Sequence, residues 1–385
     1  MTESNTLRRG ELDTLTTMLR TQHDLKYDVV VPASKLTMVD GKLAVADGAI
    51  EFHEDGLSNV DAFLDPTASC QGNIASRFDI PVKYLRRMAV EQPELLDTNV
   101  NTWLAAQPER KFLVRGFLGS GETEGMGRAM LSDRYKMIDN LDVLMASLDG
   151  IAKSGVRCEI ESVDLDDKHM RVRVKSPDVA IHAPTLLRGY RSPFADGNHG
   201  GAAAQNPETV WGGFEITNSE TGHGAMAITP RIHILVCDNG MMVKKDVLRS
   251  VHAGAKLAEG QIEWSHQTQQ LNVDLVASQV KDAVSSFLDP AYVEGIIRGL
   301  ESEGDVELPV GKEQDIIRQV TKLNYSDEEQ DSILSMFTRS GDTRAMGVMQ
   351  AVTAAAQVVA TGERQAEMES DAFNILSDAA RLARV

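Results

Sequence analysis

The sequence predicts a segregated α+β fold: a strand-rich antiparallel central sheet with packed helices, a helical N-terminal entry and an all-helical C-terminal region. Three observations lead there. Apolar residues alternate with polar ones through the middle of the chain, at Val156, Cys158 and Ile160 and again at Met170, Val172 and Val174. From about Val247 onward the chain reads as helix, and its tail from Arg344 to Arg384 is rich in Ala, Met, Val, Gln and Glu. Strand and helix also fail to alternate regularly, as they would in a parallel α/β sheet. Three regions are expected: 1–68, with a helix and short strands; 69–255, an α+β core; and 256–385, a helical region.

In chain order, Leu7, Leu12, Leu15 and Leu19 suggest a helix over Thr6–His23. Asp28–Val31 and Lys42–Val45 read as strands around an Asp40-Gly41 turn. Pro66, Pro81 and Pro93 punctuate short helices over 73–78, 82–90 and 100–106. Lys111–Phe117 and Arg128–Leu131 read as strands joined by a glycine-rich turn. Asn140–Ser154 reads as an amphipathic helix, with Leu141, Leu144, Leu148 and Ile151 on one face and Gly155 as its stop. The hairpin that follows sets Arg171, Arg173 and Lys175 against Glu159 and Glu161. Trp211–Thr217 and Ala227–Cys237 form two more strands, with Asn239-Gly240 as a turn. Ser326-Asp327-Glu328-Glu329 matches a capping box.

The 385 residues carry a formal net charge of −18, which disfavours a surface that coats itself with nucleic acid or anionic lipid. That average hides a gradient: residues 101–200 hold 14 basic and 14 acidic side chains, and the acidic excess lies outside them. No run of apolar residues is long enough for a membrane helix, and the polar N-terminus does not read as a secretory signal. Cys70, Cys158 and Cys237 are widely spaced and odd in number, which fits a reducing compartment and argues against a disulfide framework.

The motifs exclude several chemistries. There is no Walker-type phosphate loop, no G-x-S-x-G elbow and no H-E-x-x-H helix. Gly119-Ser120-Gly121 precedes acidic residues and reads as a hairpin turn. The central histidines (His182, His199, His223, His233 and His252) match no metal-ligand spacing, although His199, His223 and Asp196 are the residues a metal-dependent enzyme would use. No cofactor is expected. Ile74–Met88 resembles a helix-turn-helix but reads better as a packed helical hairpin. Met336, Met346, Met349 and Val352 form an apolar stripe suited either to oligomerisation or to a last core helix.

Two basic and aromatic stretches remain. Arg188, Tyr190, Arg191 and Phe194 open a loop rich in Gly, Ala and Asn, and Arg134-Tyr135-Lys136 repeats the combination. Arg110, Lys111 and Arg115 flank a strand nearby. Cations on phosphates with aromatic faces under bases are how single-stranded nucleic acid is held.

Two further stretches carry a family resemblance. One is Leu131-Ser132-Asp133-Arg134-Tyr135-Lys136 with Asp139-Asn140; the other runs from Gly213 through Asn218-Ser219-Glu220 and Thr229-Pro230 to Cys237-Asp238-Asn239-Gly240. Together they resemble the phage/plasmid-like protein family, over residues 70–255. The resemblance implies a mobile-element origin and a bacterial host cytoplasm; it implies no reaction. Asn218, Ser219, Glu220, Arg231 and Asn239 form its polar cluster, and paired strands would bring Glu220 near Arg231. The function expected is non-catalytic single-stranded nucleic-acid binding or annealing by a homo-oligomer. The alternatives are a scaffold or inhibitor that binds a host protein, and a metal-dependent enzyme.

Overall fold

The computed structural model describes residues 6–53, 56–119, 125–135, 137–188, 209–234, 239–242, 248–250, 260–261 and 266–384. The chain opens with β1 (Leu7–Gly10), α1 (Leu12–Asp24), β2 (Lys26–Pro32), β3 (Leu36–Val39), β4 (Lys42–His53) and β5 (Gly56–Pro66). Three helices follow, α2 (Ala68–Arg77), α3 (Val82–Glu91) and α4 (Pro93–Ala106), and then β6 (Lys111–Phe117), β7 (Gly125–Ser132) and α5 (Asn140–Ser154). Next come β8 (Glu159–Leu165), β9 (Met170–His182), α6 (Pro184–Leu187), β10 (Thr209–Asn218), β11 (Met226–Ile234), β12 (Asn239–Met242), β13 (Leu248–Ser250) and β14 (Gly260–Gln261). The C-terminal region is helical: α7 (His266–Phe287), α8 (Pro290–Gly304), α9 (Glu313–Thr321), α10 (Asp327–Ser340), α11 (Ala345–Ala356) and α12 (Gly362–Ala383).

This is an α+β fold with an all-helical C-terminal region, and its strands are divided between two sheets. The first runs β1-β8-β9-β10-β11-β12, with β13 also on β11; the second runs β14-β2-β6-β7-β5-β4-β3. Among the described strands the pairings are antiparallel except β5 with β7, whose parallel arrangement is spanned by the long crossover through α2, α3, α4 and β6. Residues 1–68 supply β1 to the first sheet and β2 to β5 to the second.

Each sheet buries an apolar face under helices. In the first, Val163, Val172, Val174, Phe214, Ile216 and Ile232 join Val143 and Leu144 of α5 and Val280 and Val284 of α7 in one core. Gly150 permits the close approach of α5 and α7, since a Cβ there would lie 2.5 Å from the Ala277 carbonyl oxygen. In the second, Val29, Val31, Leu64, Phe112 and Val114 pack on Ile74, Leu85, Leu96 and Val100 of the α2–α4 layer. The α2–α3 pair is therefore a packed helical hairpin: Ile74, Leu85 and Met88 are buried, and Arg86 donates to the Ala68 carbonyl.

Several expectations are met closely. α5 spans Asn140–Ser154, and Gly155 ends it at φ 74°. Asp40 and Gly41 turn at φ 50° and 75°, between β3 and β4. The Ser326–Glu329 capping box is formed in both directions. Others are corrected. The entry begins as a strand: Leu7 pairs with Leu165, and α1 starts only at Leu12. Asn239 and Gly240 pair with Ile234 and His233 as part of β12, so this dipeptide lies in a strand and not in a turn. Short strands β13 and β14 follow Val247, and the described helical region starts at His266. Of the two readings of the methionine stripe, the core one holds: Met346, Met349 and Val352 belong to α11, which is buried along its whole length, and Met336 is buried in α10. Among the described residues no helix is long and apolar enough to cross a membrane.

Candidate functional site

The two stretches that carry the family resemblance meet in space. Tyr135 donates its hydroxyl to the Ser219 carbonyl at 2.7 Å. Asn218 donates its amide to the Ile138 carbonyl and to the Asn140 side chain, both at 2.9 Å. Glu220 accepts from the Asn140 backbone N–H at 2.5 Å, which places a carboxylate at the first turn of α5 and the positive end of its dipole. Strand β10 thus ends against the strand-to-helix link that follows β7, and the two sheets are joined there.

Arg115 lies at the centre of this junction. Asp28 and Arg115 are directly opposed on β2 and β6, and the guanidinium grips that carboxylate with two bonds of 2.8 Å. It also bonds Asp139 at 2.7 Å and the Glu220 carbonyl at 3.2 Å. Lys26 reaches Asp139 at 2.8 Å, and Arg128 pairs with Glu220 while lying over the Phe117 ring. Burial alone would raise the Asp139 carboxyl, but Arg115 and Lys26 overcome it and hold the group well below the usual carboxylate range. Burial pushes the Tyr135 phenol up, away from ionisation. A small cleft opens beside the junction, lined by Gln22, His23, Lys26, Arg128, Asp139 and Glu220. Its cations are neutralised by its own carboxylates, so the arrangement acts as a brace between sheets. Arg115 is correspondingly a buried strut and not a flanking surface cation.

A second charged network covers the other face of the first sheet. Arg173 pairs with Asp164 at 2.5 Å and with Glu215 at 3.0 Å. Arg231 pairs with Glu215 at 3.3 Å and with Glu369 of α12 at 3.0 Å. His233 meets Glu161 at 2.6 Å. The expected cross-strand pairing survives only in part. Lys175 opposes Glu159 and lies 3.7 Å from it, but an irregularity between Ile160 and Ser162 shifts the register, so Arg173 opposes Ser162. Arg171 pairs with Asp166. The expected approach of Glu220 to Arg231 is also corrected: Arg231 sits in mid-strand opposite Gly213, whereas Glu220 lies beyond the end of β10. The resemblance's polar cluster therefore divides, with Asn218, Ser219 and Glu220 in the inter-sheet brace and Arg231 under α12. Asn239 takes its place through its backbone, in β12.

His223 belongs to a third contact between the sheets. Its ring lies 2.7 Å from the Ser69 hydroxyl, and its carbonyl lies 3.0 Å from Nε2 of His169. Ser69 is 1% exposed and its backbone N–H is already held by Asp167, so this Ser–His pair ties the loop after β10 to the start of α2. Burial pushes both histidines below their ordinary value, with Lys168 adding to this at His223 and Arg171 at His169. Among the described residues no group of three or more His, Cys, Asp or Glu is arranged to hold a metal; His199 and Asp196 lie outside the described residues.

The basic and aromatic residues fall in different settings. Arg134 is exposed, and Tyr135 is packed beside Leu131 and Met137 with its hydroxyl committed to Ser219. Lys136, Tyr190, Arg191 and Phe194 lie outside the described residues. Arg188 is described. It follows α6 at the mouth of the 189–208 segment, with its side chain 59% exposed and 2.7 Å from Asp305. Its carbonyl and that of Thr185 accept from buried Arg344, which Asp342 grips in turn at 2.8 and 2.9 Å. Arg115, Arg173 and Arg344 escape sequence reasoning because a buried arginine looks like a surface one until its partners are placed. Asp28 opposite Arg115 and Glu215 opposite Arg173 are the signals that the strand register supplies.

Compared with known proteins, the chain matches no family model, no curated protein and no solved structure.

Proposed function

We propose that the protein is a non-catalytic single-stranded nucleic-acid binding and annealing protein of phage or plasmid type, working as a homo-oligomer in a bacterial cytoplasm. The observation that carries the reading is Arg188. It is an exposed guanidinium on a turn that Arg344 anchors, at the start of a segment that adds Tyr190, Arg191 and Phe194. An anchored cation loses little freedom on meeting a phosphate, and the aromatic residues supply stacking faces. The buried arginines, by contrast, are consumed by internal carboxylates and offer nothing to a phosphate. The non-catalytic part of the reading rests on the polar clusters, whose acids and bases are committed to one another. The resemblance to the phage/plasmid-like family supports the setting.

The test is fluorescence anisotropy with labelled single- and double-stranded oligonucleotides at low and near-physiological salt. Single strands are expected to bind, and more weakly as salt rises. Arg188→Ala/Arg191→Ala is expected to weaken binding at least about tenfold and to flatten the salt slope by about 1.4, the contribution of two phosphates on a single strand. Equal binding by the double variant would remove this face from the proposal.

A second reading is favoured by a different observation. Tyr84, Val90, Leu95 and Trp103 stand exposed on α3 and α4, on the outer side of the helical layer. Exposed large apolar side chains of this kind suit a protein partner, as a scaffold or inhibitor of a host protein would need. Absence of oligonucleotide binding together with capture of one partner, lost in Tyr84→Ala/Trp103→Ala, would favour it over the first.

A further inference from the structure

Two arginines from distant parts of the chain converge on a single carboxylate oxygen. Oδ1 of Asp305, the residue that closes α8, accepts from Arg188 at 2.7 Å and from Arg344 at 3.1 Å. The two guanidiniums are not equivalent. Arg344 is buried and held by Asp342 and by the carbonyls of Thr185 and Arg188, so it cannot follow a departing partner. Arg188 is largely exposed, and so is nearly half of the Asp305 side chain. Asp342 already neutralises Arg344, which leaves Asp305 to neutralise Arg188. Of the nearby carboxylates among the described residues, Glu301 is turned to the Leu186 backbone N–H at 3.2 Å, and Glu307, across from Arg344, accepts from the Thr343 hydroxyl at 3.2 Å.

We propose that Asp305 is a built-in competitor for the ligand's phosphate: its oxygen occupies an anion position between Arg188 and Arg344, and a phosphate binds there by displacing it. This rests on the nucleic-acid reading above and adds to it a residue that sets affinity. The chemistry is one of exchange. A phosphate oxygen in the same place accepts the same two N–H bonds, and the charge it brings replaces the one that swings away into water. An ion pair this exposed contributes little to stability, so its displacement by a polyanion is cheap. A ligand with several phosphates gains more from the exchange than a single small anion, because only its first contact must displace the carboxylate. Asp305 thereby lowers affinity for isolated anions and leaves long single strands as the favoured ligand.

The test compares wild-type protein, Asp305→Asn, Asp305→Ala and Asp305→Asn/Arg188→Ala, titrated into fluorescein-labelled oligothymidylate across a salt series. Thermal melting of each variant confirms folding. Asp305→Asn and Asp305→Ala are both expected to tighten binding about three- to tenfold at low salt while leaving the salt slope close to that of wild type, because the same phosphates are neutralised once the carboxylate has moved aside. The double variant is expected to lose that gain. If wild-type protein binds and both single variants bind equally well, the competitor role is overturned while the nucleic-acid reading stands. If the gain persists without Arg188, the anion position lies elsewhere and the proposal is wrong. If none of the proteins binds, the nucleic-acid reading falls and the competitor role falls with it.

Discussion

Arg115 and Arg188 are the same side chain in two opposite situations. Arg115 is 1% exposed and saturated by Asp28, Asp139 and the Glu220 carbonyl, at the point where the two sheets are joined. Arg188 is 59% exposed, has one carboxylate partner and sits on a turn held from below. Taking a charge out of water costs several kcal/mol, so Arg115 is stable only with its carboxylates in place, and removal of either side leaves the other stranded. Arg188 keeps its water, so its ion pair is weak and exchangeable. The difference teaches that an arginine's role follows from its hydration and not from its neighbours in sequence. Arg115 holds the molecule together, and Arg188 is free to change partners.

That contrast is broken most sharply at Arg115. Arg115→Met removes the guanidinium and leaves Asp28 and Asp139 buried, and is expected to cost about 3–5 kcal/mol in urea unfolding. A loss below ~1 kcal/mol would mean the junction does not brace the sheets. An acid titration gives the next effect. Burial alone would raise the Glu161 carboxyl, but His233, Arg231 and Arg173 bring it down to about 2. A carboxyl lowered by folding adds stability above its unfolded value of ~4.3, and loses it as pH falls through the folded one. Glu161→Gln is therefore expected to flatten the loss of stability between about pH 5 and pH 2, read as the urea midpoint at each pH. An unchanged acid limb would show that this network contributes little. The smallest effect is at Arg188. Arg188→Ala is expected to shift stability by less than ~0.5 kcal/mol, so its binding defect would be a surface effect and not a folding one.

The first sheet shows where sequence reasoning stopped. Its strands alternate cleanly, and alternation in an antiparallel sheet ordinarily means one dry face and one wet one. Here Arg173, Glu215 and Arg231 on the polar face are buried as well, because α12 lays Gln365 and Glu369 over them. Nothing in the strands announces that cover, which comes from a helix more than 100 residues further along the chain. The same holds for the Asn218–Glu220 motif. Its residues stood out as a group, but whether they were a site or a brace depended on Tyr135, Asn140, Arg115 and Arg128 reaching them from the second sheet's strands and from α5.

Local chemistry was decided by the sequence alone. The spacing of Leu141, Leu144, Leu148 and Ile151 with Gly155 after them set the span of α5, Ser326 and Glu329 capped α10, Asp40-Gly41 made its turn, and the overall α+β class followed from the order of patterns. These features need only contacts within a few residues, whose geometry the backbone dictates. The tertiary structure decided the rest: the division into two sheets, the strand order, the burial of α11, and which arginines are struts and which face water. Each of those depends on groups far apart in the chain sharing one desolvated volume, and the free energy of a charge is set by what surrounds it there.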